Sequence, residues 1–299
     1  MNLTLAVDIG GTKMAAGLVD ADGTLRYHTR QPTPRSDDPE QVWAATQRTI
    51  ADALAEADGA VDGVGVAAPG PVALREQTIT PINIRAWRDF PVLDRIAAAV
   101  PGVPVRMAND GLCMALGEHW RGAGQGAEFL LGMVVSTGIG GGLVLGGAPY
   151  HGRSGNAGHV GHVIVDTDGP PCSCGARGCA EAIASGTNLA KWARSQGWAG
   201  TDARELADAA AAGNDLALRA FRRSARAIAA MIASVGAVCD LDLVVLGGGV
   251  AKAGPVLFGP LREELQTFAG LAFLSGLRVV PAALGGEAGL VGAAALLRG

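Results

Sequence analysis

The chain has 299 residues, 49% of them hydrophobic and 17% charged, a balance that excludes a disordered polypeptide and gives enough length for two lobes of ordinary domain size. Its 24 basic and 28 acidic residues leave a formal charge of −4 with no basic run, so there is no electrostatic footprint for nucleic acid. No basic segment precedes an apolar core at the start and no apolar run reaches roughly twenty residues, so neither signal peptide nor membrane span is expected; five cysteines, three of them clustered, suit a reducing compartment, and the expected location is the cytoplasm.

Residues 3–7 (LTLAV) form an apolar run leading into Asp8, Ile9, Gly10, Gly11, Thr12 and Lys13, followed by MAAGLVD, an ADG turn at 21–23 and TLRYHTRQ. This pattern predicts three strands, the first two an antiparallel hairpin turned on glycine. Helical spacing of Trp43, Thr46, Ile50, Ala53 and Leu54 predicts a helix over 41–57. VDGVGVAAPG at 61–70 reads as a buried strand running into a Pro-Gly turn, and 103–110 as a strand ending on Asn109 and Asp110 before a helix at 111–120.

The second half repeats the opening. EFLLGMVVSTGIGGGLVLGG at 128–147 is strand, glycine turn and strand. Helices are predicted at 186–196, 202–212 and 215–237, the last with Leu218, Phe221, Ala225, Ile228, Ile232 and Val235 on one face. A buried strand at 241–251 ends in Gly247, Gly248 and Gly249, and GLRVVPAAL and the helix-like AGLVGAAALL close the chain. Two lobes that each open on a glycine-turned hairpin predict a duplicated α/β fold with a cleft between them.

Several segments carry chemistry. Glycines after a strand free backbone N–H groups to face an anion, Thr12 and Lys13 add a hydroxyl and a cation, and Asp8 is placed to hold Mg²⁺ directly or through water. A glycine-rich hairpin is also an ordinary tight turn. Thr137 and Gly138, in STGIGGG, sit in the equivalent loop of the second lobe, and the two loops together suit the phosphates of one nucleotide. Asp110 at a strand end suits a general base for phosphoryl transfer, while Asn109 and Asp110 before GLCMALGEHW also make a good helix cap. His162, Cys172, Cys174 and Cys179, with Gly175 and Gly178 between them, offer one imidazole and three thiols, a tetrahedral zinc donor set. That spacing is not a zinc finger's, so it fixes a metal and no function.

In this order and spacing, DIGGTK, AND, STGIGGG, the His–Cys–Cys–Cys segment and LGGGV resemble the ROK sugar kinases, relatives of actin, Hsp70 and hexokinase, over essentially the whole chain. The resemblance implies a two-lobed, ribonuclease H-like α/β fold with a structural zinc site, ATP and sugar meeting in the interlobe cleft. Its lobes would be 1–112, completed by a C-terminal helix at 288–299, and 113–287, with the zinc segment at 158–181. Asp110 would deprotonate the sugar hydroxyl, most often the 6-hydroxyl. Asp8, Gly10, Gly11, Thr12 and Lys13 would face phosphates and Mg²⁺ with Thr137 and Gly138, and Gly247, Gly248 and Gly249 would line the adenosine end. Asn109, His162 and Glu181 would contact sugar, as would Gly70 and Asn83, although Arg85 and Ala86 break the family's usual Gly-Trp wording after Asn83.

One position departs from the family pattern. Gly158-His159-Val160-Gly161-His162 carries His159 where most members have Glu. An imidazole can donate where a carboxylate only accepts, which suits an acetamido carbonyl or an unusual hydroxyl geometry. N-acetylmannosamine kinases of this family show a similar AGHxGH wording, so N-acetylmannosamine is the favoured substrate. The alternatives are a glucokinase or broad hexose kinase in which His159 is a tolerated variant, and a cyclitol kinase. A sugar-sensing regulator would need a helix-turn-helix before the first strand, for which residues 1–3 leave no room. A homodimer or homotetramer is the expected assembly, and His28, His119 and His151 are expected to be structural or at the surface.

Overall fold

The computed structural model describes residues 2–57 and 60–298. Three strands open the chain, β1 (Leu3–Ile9), β2 (Lys13–Asp20) and β3 (Leu25–Pro32), as an antiparallel meander. Helix α1 (Pro39–Glu56) follows, capped by the Asp38 carboxylate on the Glu40 N–H with Pro39 at its first position. Strand β4 (Gly63–Ala68) pairs parallel with β1, and after the short hairpin β5 (Val72–Ala73) and β6 (Thr78–Ile79) and helix α2 (Val92–Ala99), β7 (Val105–Asn109) pairs parallel with β4. Helix α3 (Asp110–Arg121) leaves directly from the end of β7.

The second half runs through the same plan. Strands β8 (Phe129–Val135), β9 (Ile139–Leu145) and β10 (Ala148–Tyr150) form the meander. A long insertion then carries the cysteine segment and helices α4 (Ala180–Ala184), α5 (Gly186–Ser195), α6 (Ala203–Ala211) and α7 (Asp215–Cys239). Strand β11 (Leu243–Gly247) pairs parallel with β8, and after α8 (Pro255–Phe268), β12 (Arg278–Pro281) pairs parallel with β11 before α9 (Ala288–Ala295). Both sheets therefore have one strand order, third-second-first-fourth-fifth: β3-β2-β1-β4-β7 and β10-β9-β8-β11-β12. The repeated glycine hairpin was the visible trace of that duplication.

Each sheet packs helices on its outer face in a core of its own, and a third core lies between the sheets. That central core is built from α3 and α9, which pack on one another, with α3 against β8 and β9 and α9 against β1 and β4. The last helix of each half thus lies on the sheet of the other half. Small residues permit the approach: Gly292 of α9 sits so close to the Cys113 carbonyl of α3 that a methyl group there would overlap it. The closing AGLVGAAALL is apolar on every side because α9 is enclosed on every side.

Some elements escaped the sequence pattern. Helix α8 was not anticipated; it has Pro255 at its first position, where the missing N–H has no intrahelical partner to lose, and Pro260 in its interior. Helices α2 and α4 are too short to show a period. Leu218 is 42% exposed, not on the buried face of α7, because Ala217 and Ala220 make the contacts of its first turns and leave Leu218 at the rim. Among the described residues, no helix is long and apolar enough to cross a membrane.

Candidate active site

The two sheets present their equivalent hairpins to one cleft. The first turn is closed by Gly10 N–H on the Lys13 carbonyl at 2.9 Å, the second by Ser136 N–H on the Gly138 carbonyl at 2.9 Å. Asp8 and Lys13 from the first, and Ser136, Thr137, Gly138, Ile139 and Gly140 from the second, line a cavity of about 470 Å³ with Asn83, Asp110 and Glu181. Gly10, Gly11 and Thr12 form the turn between Asp8 and Lys13 and are not among its lining residues. Asn83 packs on this turn, where a Cβ on Gly11 would overlap it.

Asp110 opens the first turn of α3, and Asn109 caps that helix through Oδ1 on the Gly111 N–H at 3.0 Å. The same N–H reaches Asp110 Oδ1 at 2.7 Å. The cap and the carboxylate therefore coexist: Asn109 serves the helix while Asp110 faces the cleft. Surrounding protein desolvates Asp110 and holds its pKa above the ordinary value, against the lowering effects of the Gly111 N–H and of His159. Half-buried Asp8 is pushed up to about 6, chiefly by desolvation and then by the Asp110 charge, with Lys13 opposing. Two desolvated carboxylates, the charge of Asp110 raising Asp8, with a lysine opposing that rise, form a donor set of the kind a hard divalent cation neutralises.

A second cavity, of about 740 Å³, continues from the first through shared Ser136 and Thr137 and runs between Gly249–Ala253 and helices α5 and α6. Of the three glycines at the end of β11, only Gly249 lines it. Gly247 is buried against Met114 and Ala282, and Gly248, at φ +96°, passes close to the Val135 carbonyl. Gly247 is thus a packing residue, placed away from the cavity it was expected to line. Arg194, Asp202, Arg204, Asp208 and Lys252 also line this end. No sequence pattern singled them out, because they come from separate elements that meet only in the fold.

The cysteine segment folds as a knuckle. Cys172 N–H bonds the Ala176 carbonyl at 2.8 Å, and Gly178, at φ +71°, runs so close to the Asp166 carbonyl that no side chain fits. The ligand atoms of His162, Cys172, Cys174 and Cys179 all lie within 4.8 Å of one another. Cys172 Sγ stands 3.7 Å from His162 Nδ1, and Cys174 Sγ 3.7 Å from Cys179 Sγ. A tetrahedron with bonds of ~2.3 Å has edges of ~3.8 Å, so these spacings fit zinc. Burial, then contact with Cys172 and Cys174, pushes the Cys179 thiol up to about 12, so ionising this cluster at neutral pH calls for a cation.

Glu181 starts α4 two residues after Cys179, and its Oε2 accepts the Ile139 N–H at 2.8 Å. It faces the cleft at the second glycine loop, so the cysteine knuckle and that loop are joined through one carboxylate. His159 stands at the other side: its Nε2 and Asn109 Nδ2 both converge on Gly70, 3.1 and 2.8 Å from where a Cβ would stand. The rings of His159 and His162 stack with centroids 6.5 Å apart. His159 Nδ1 lies 2.9 Å from the Asn156 carbonyl. A carbonyl only accepts, so the ring proton is on Nδ1 and, in the neutral ring, Nε2 is an acceptor. The expectation that neutral His159 donates toward substrate is corrected accordingly. His119 bonds the Ala127 carbonyl through Nε2 at 2.9 Å, and His28 lies in β3. His151 Nδ1 has no hydrogen-bond partner among the described residues, and burial lowers that ring's pKa.

Sequence reading also missed Glu118. Fully buried on α3, it accepts the N–H groups of Ala123, Ala283 and Leu284 at 2.8–3.0 Å and anchors the turn before Gly285 and Gly286, which line the cleft. Its signal was only a polar residue in an apolar helix.

The model of the ROK family matches residues 4–299, and the chain belongs to that family. It is 37% identical over 297 residues to an N-acetylmannosamine kinase of Escherichia coli, spanning 99% of this chain and 98% of that protein. It is 34% identical over 313 residues to a glucokinase of Thermotoga maritima, spanning 98% and 96%. Among solved structures, a ROK family glucokinase from Streptomyces griseus in complex with glucose and AMPPNP matches with a TM-score of 0.84 at 34% identity, over 99% of each chain.

The raised pKa of Asp8 has a consequence for stability. Its folded value lies above the unfolded one, so its contribution becomes unfavourable as pH rises from about 4 to about 6 and stays so above. Asp8→Asn is therefore expected to stabilise the ligand-free protein by about 2–3 kcal/mol at pH 8 and by little at pH 4. Denaturant unfolding at the two pH values checks this; an equal effect at both contradicts the assignment.

Proposed function

We propose that the protein is an ATP-dependent sugar kinase, transferring the γ-phosphoryl of ATP to the 6-hydroxyl of a hexose or N-acetylhexosamine. The observation that carries this reading is the position of Asp110: a carboxylate of raised pKa, at the head of a helix, in a cleft that two equivalent glycine loops also face. A carboxylate whose pKa is raised by desolvation is a stronger base toward a hydroxyl proton than an ordinary one. Kinase names among full-length relatives at 34–37% identity support the same activity.

The sugar occupies the side bounded by Asn109, Gly70, Asn83 and His159, with Glu181 facing it from the second loop. Asn109 uses Oδ1 for its helix cap, which leaves Nδ2 free to donate to a ring hydroxyl. ATP lies along the cavities joined at Ser136 and Thr137, phosphates toward Lys13, Thr137 and Gly138 and adenosine toward Gly249. Magnesium would be held by Asp8, directly or through water, and would supply charge neutralisation at the phosphates. Asp110 accepts the proton of the 6-hydroxyl as its oxygen bonds to the γ-phosphorus; the bond to the bridging oxygen breaks, and ADP and the sugar 6-phosphate result. Closure of the lobes excludes water, the competing acceptor.

Zinc, held by His162, Cys172, Cys174 and Cys179, is structural in this reading, because protein fills all four positions. It fixes the knuckle from which Glu181 reaches the loop and His162 braces His159. N-acetylmannosamine and glucose are the first acceptors to compare, since relatives of similar identity carry both names.

Asp110→Asn is expected to keep fold and sugar binding, measured by calorimetry, and to lose at least about 10³-fold in kcat. Undiminished turnover removes Asp110 from the base role. Cys172→Ser or Cys174→Ser is expected to release zinc, read as metal content per chain, and to raise KM for sugar and nucleotide together through Glu181. A variant that loses metal while both KM values hold contradicts that coupling.

A further inference from the structure

The loop 151–159 of the second lobe and the β5–β6 hairpin of the first meet across the sugar end of the cleft, and one side chain makes most of the junction. Asn156 Oδ1 accepts the Val72 N–H at 2.9 Å while its Nδ2 donates to the Val72 carbonyl at 2.7 Å. A side-chain amide paired with a backbone unit in this way uses both polar ends, and exchanging either end sets like against like. Nδ2 also reaches Ser154 Oγ at 3.2 Å, and the Leu74 N–H points at the Ser154 carbonyl at 3.4 Å. Gly155, at φ +95°, leaves no room for a Cβ beside Val72 and Leu74.

Asn156 holds His159 as well, through the carbonyl that accepts from Nδ1. Nε2, unprotonated in the neutral ring, faces Gly70, two residues before Val72, so the latch and the imidazole act on one short stretch of chain. We propose that Asn156 is a positioning residue of the sugar subsite: it seats this loop on Val72 and fixes the His159 proton on Nδ1. Nε2 then meets the substrate as an acceptor, taking a hydroxyl or amide N–H and refusing a carbonyl oxygen. The inference rests on reading the cleft as a sugar site. It constrains the acceptor, because an acetamido group must turn its N–H, not its carbonyl, toward His159.

Nitrogen-15 NMR of the substrate-free enzyme at about pH 8, where an ordinary imidazole is neutral, reads the tautomer directly. The expected spectrum has the His159 proton on Nδ1; a proton on Nε2 overturns the proposal. In turnover, each hydroxyl of the best acceptor sugar, except the phosphorylated one, is replaced by fluorine, which cannot donate. One position is expected to lose at least about tenfold in kcat/KM, the worth of a missing hydrogen bond, and that extra loss vanishes in His159→Ala. Indifference to fluorine at every position overturns the acceptor role. Asn156→Ala and Asn156→Asp are expected to raise the sugar KM about tenfold while the KM for ATP moves less than about twofold. An unchanged sugar KM, or an equal rise for both substrates as general loosening gives, overturns the positioning role. An enzyme that phosphorylates no sugar refutes the kinase reading instead, and the spectrum still decides the tautomer.

Discussion

Everything in the cleft depends on two desolvated carboxylates, the charge of one resisting the ionisation of the other. Asp8 lies near the end of the first strand of one sheet and Asp110 begins the helix that crosses to the other; desolvation raises both, and the Asp110 charge raises Asp8 further. Such a pair is a standing cost for the empty protein, and neighbouring positive charge offsets it. Lys13 supplies part. In the proposed reading, a divalent cation and its nucleotide supply the rest, so the strain of the empty site becomes affinity for the loaded one.

The architecture explains how the pair is held. Exchange of the last helix between halves puts α3 and α9 back to back between the sheets, where glycines allow backbone to meet backbone. Asp110 is therefore mounted on an element that belongs by sequence to one sheet and by packing to the other. A shift of either sheet moves Asp110 relative to the loops. Glu118, toward the far end of α3, ties this helix to the turn before α9 through the N–H groups of Ala283 and Leu284, and so couples α3 to the Gly285–Gly286 edge of the cleft. On the opposite wall, Glu181 joins the cysteine knuckle to the second glycine loop. In the proposed reading, Asn156 and Glu181 thus brace the two ends of the sugar side from elements that no single motif links.

Much of this was legible in the chain. The strand-glycine-strand wording at 3–20 and again at 129–145 disclosed the duplication, because a tight turn needs glycine wherever it recurs. The Cys–Cys–Cys segment disclosed its cluster, because three thiols within eight residues, with glycines between them, can turn back on one imidazole. Long-range placement stayed hidden. Gly247 and Gly249 look alike in LGGGV, and only the packing of Met114 and Ala282 shows that the first is core and the second cleft. His159 announced itself as an exception, yet its hydrogen-bonding sense depended on a backbone carbonyl three residues away, which no residue identity encodes. The charged residues around the far cavity come from three separate elements and carry no common spacing.

The most direct test is ADP release from Mg-ATP by the purified protein, measured against N-acetylmannosamine, N-acetylglucosamine, glucose, mannose, allose and a cyclitol, with a blank lacking any acceptor. A kinase built as argued gives ADP at a rate that rises with one or more hexoses and saturates, with the phosphate recovered on the sugar. Rates equal to the blank for every acceptor would contradict the account and return the cleft to a binding role.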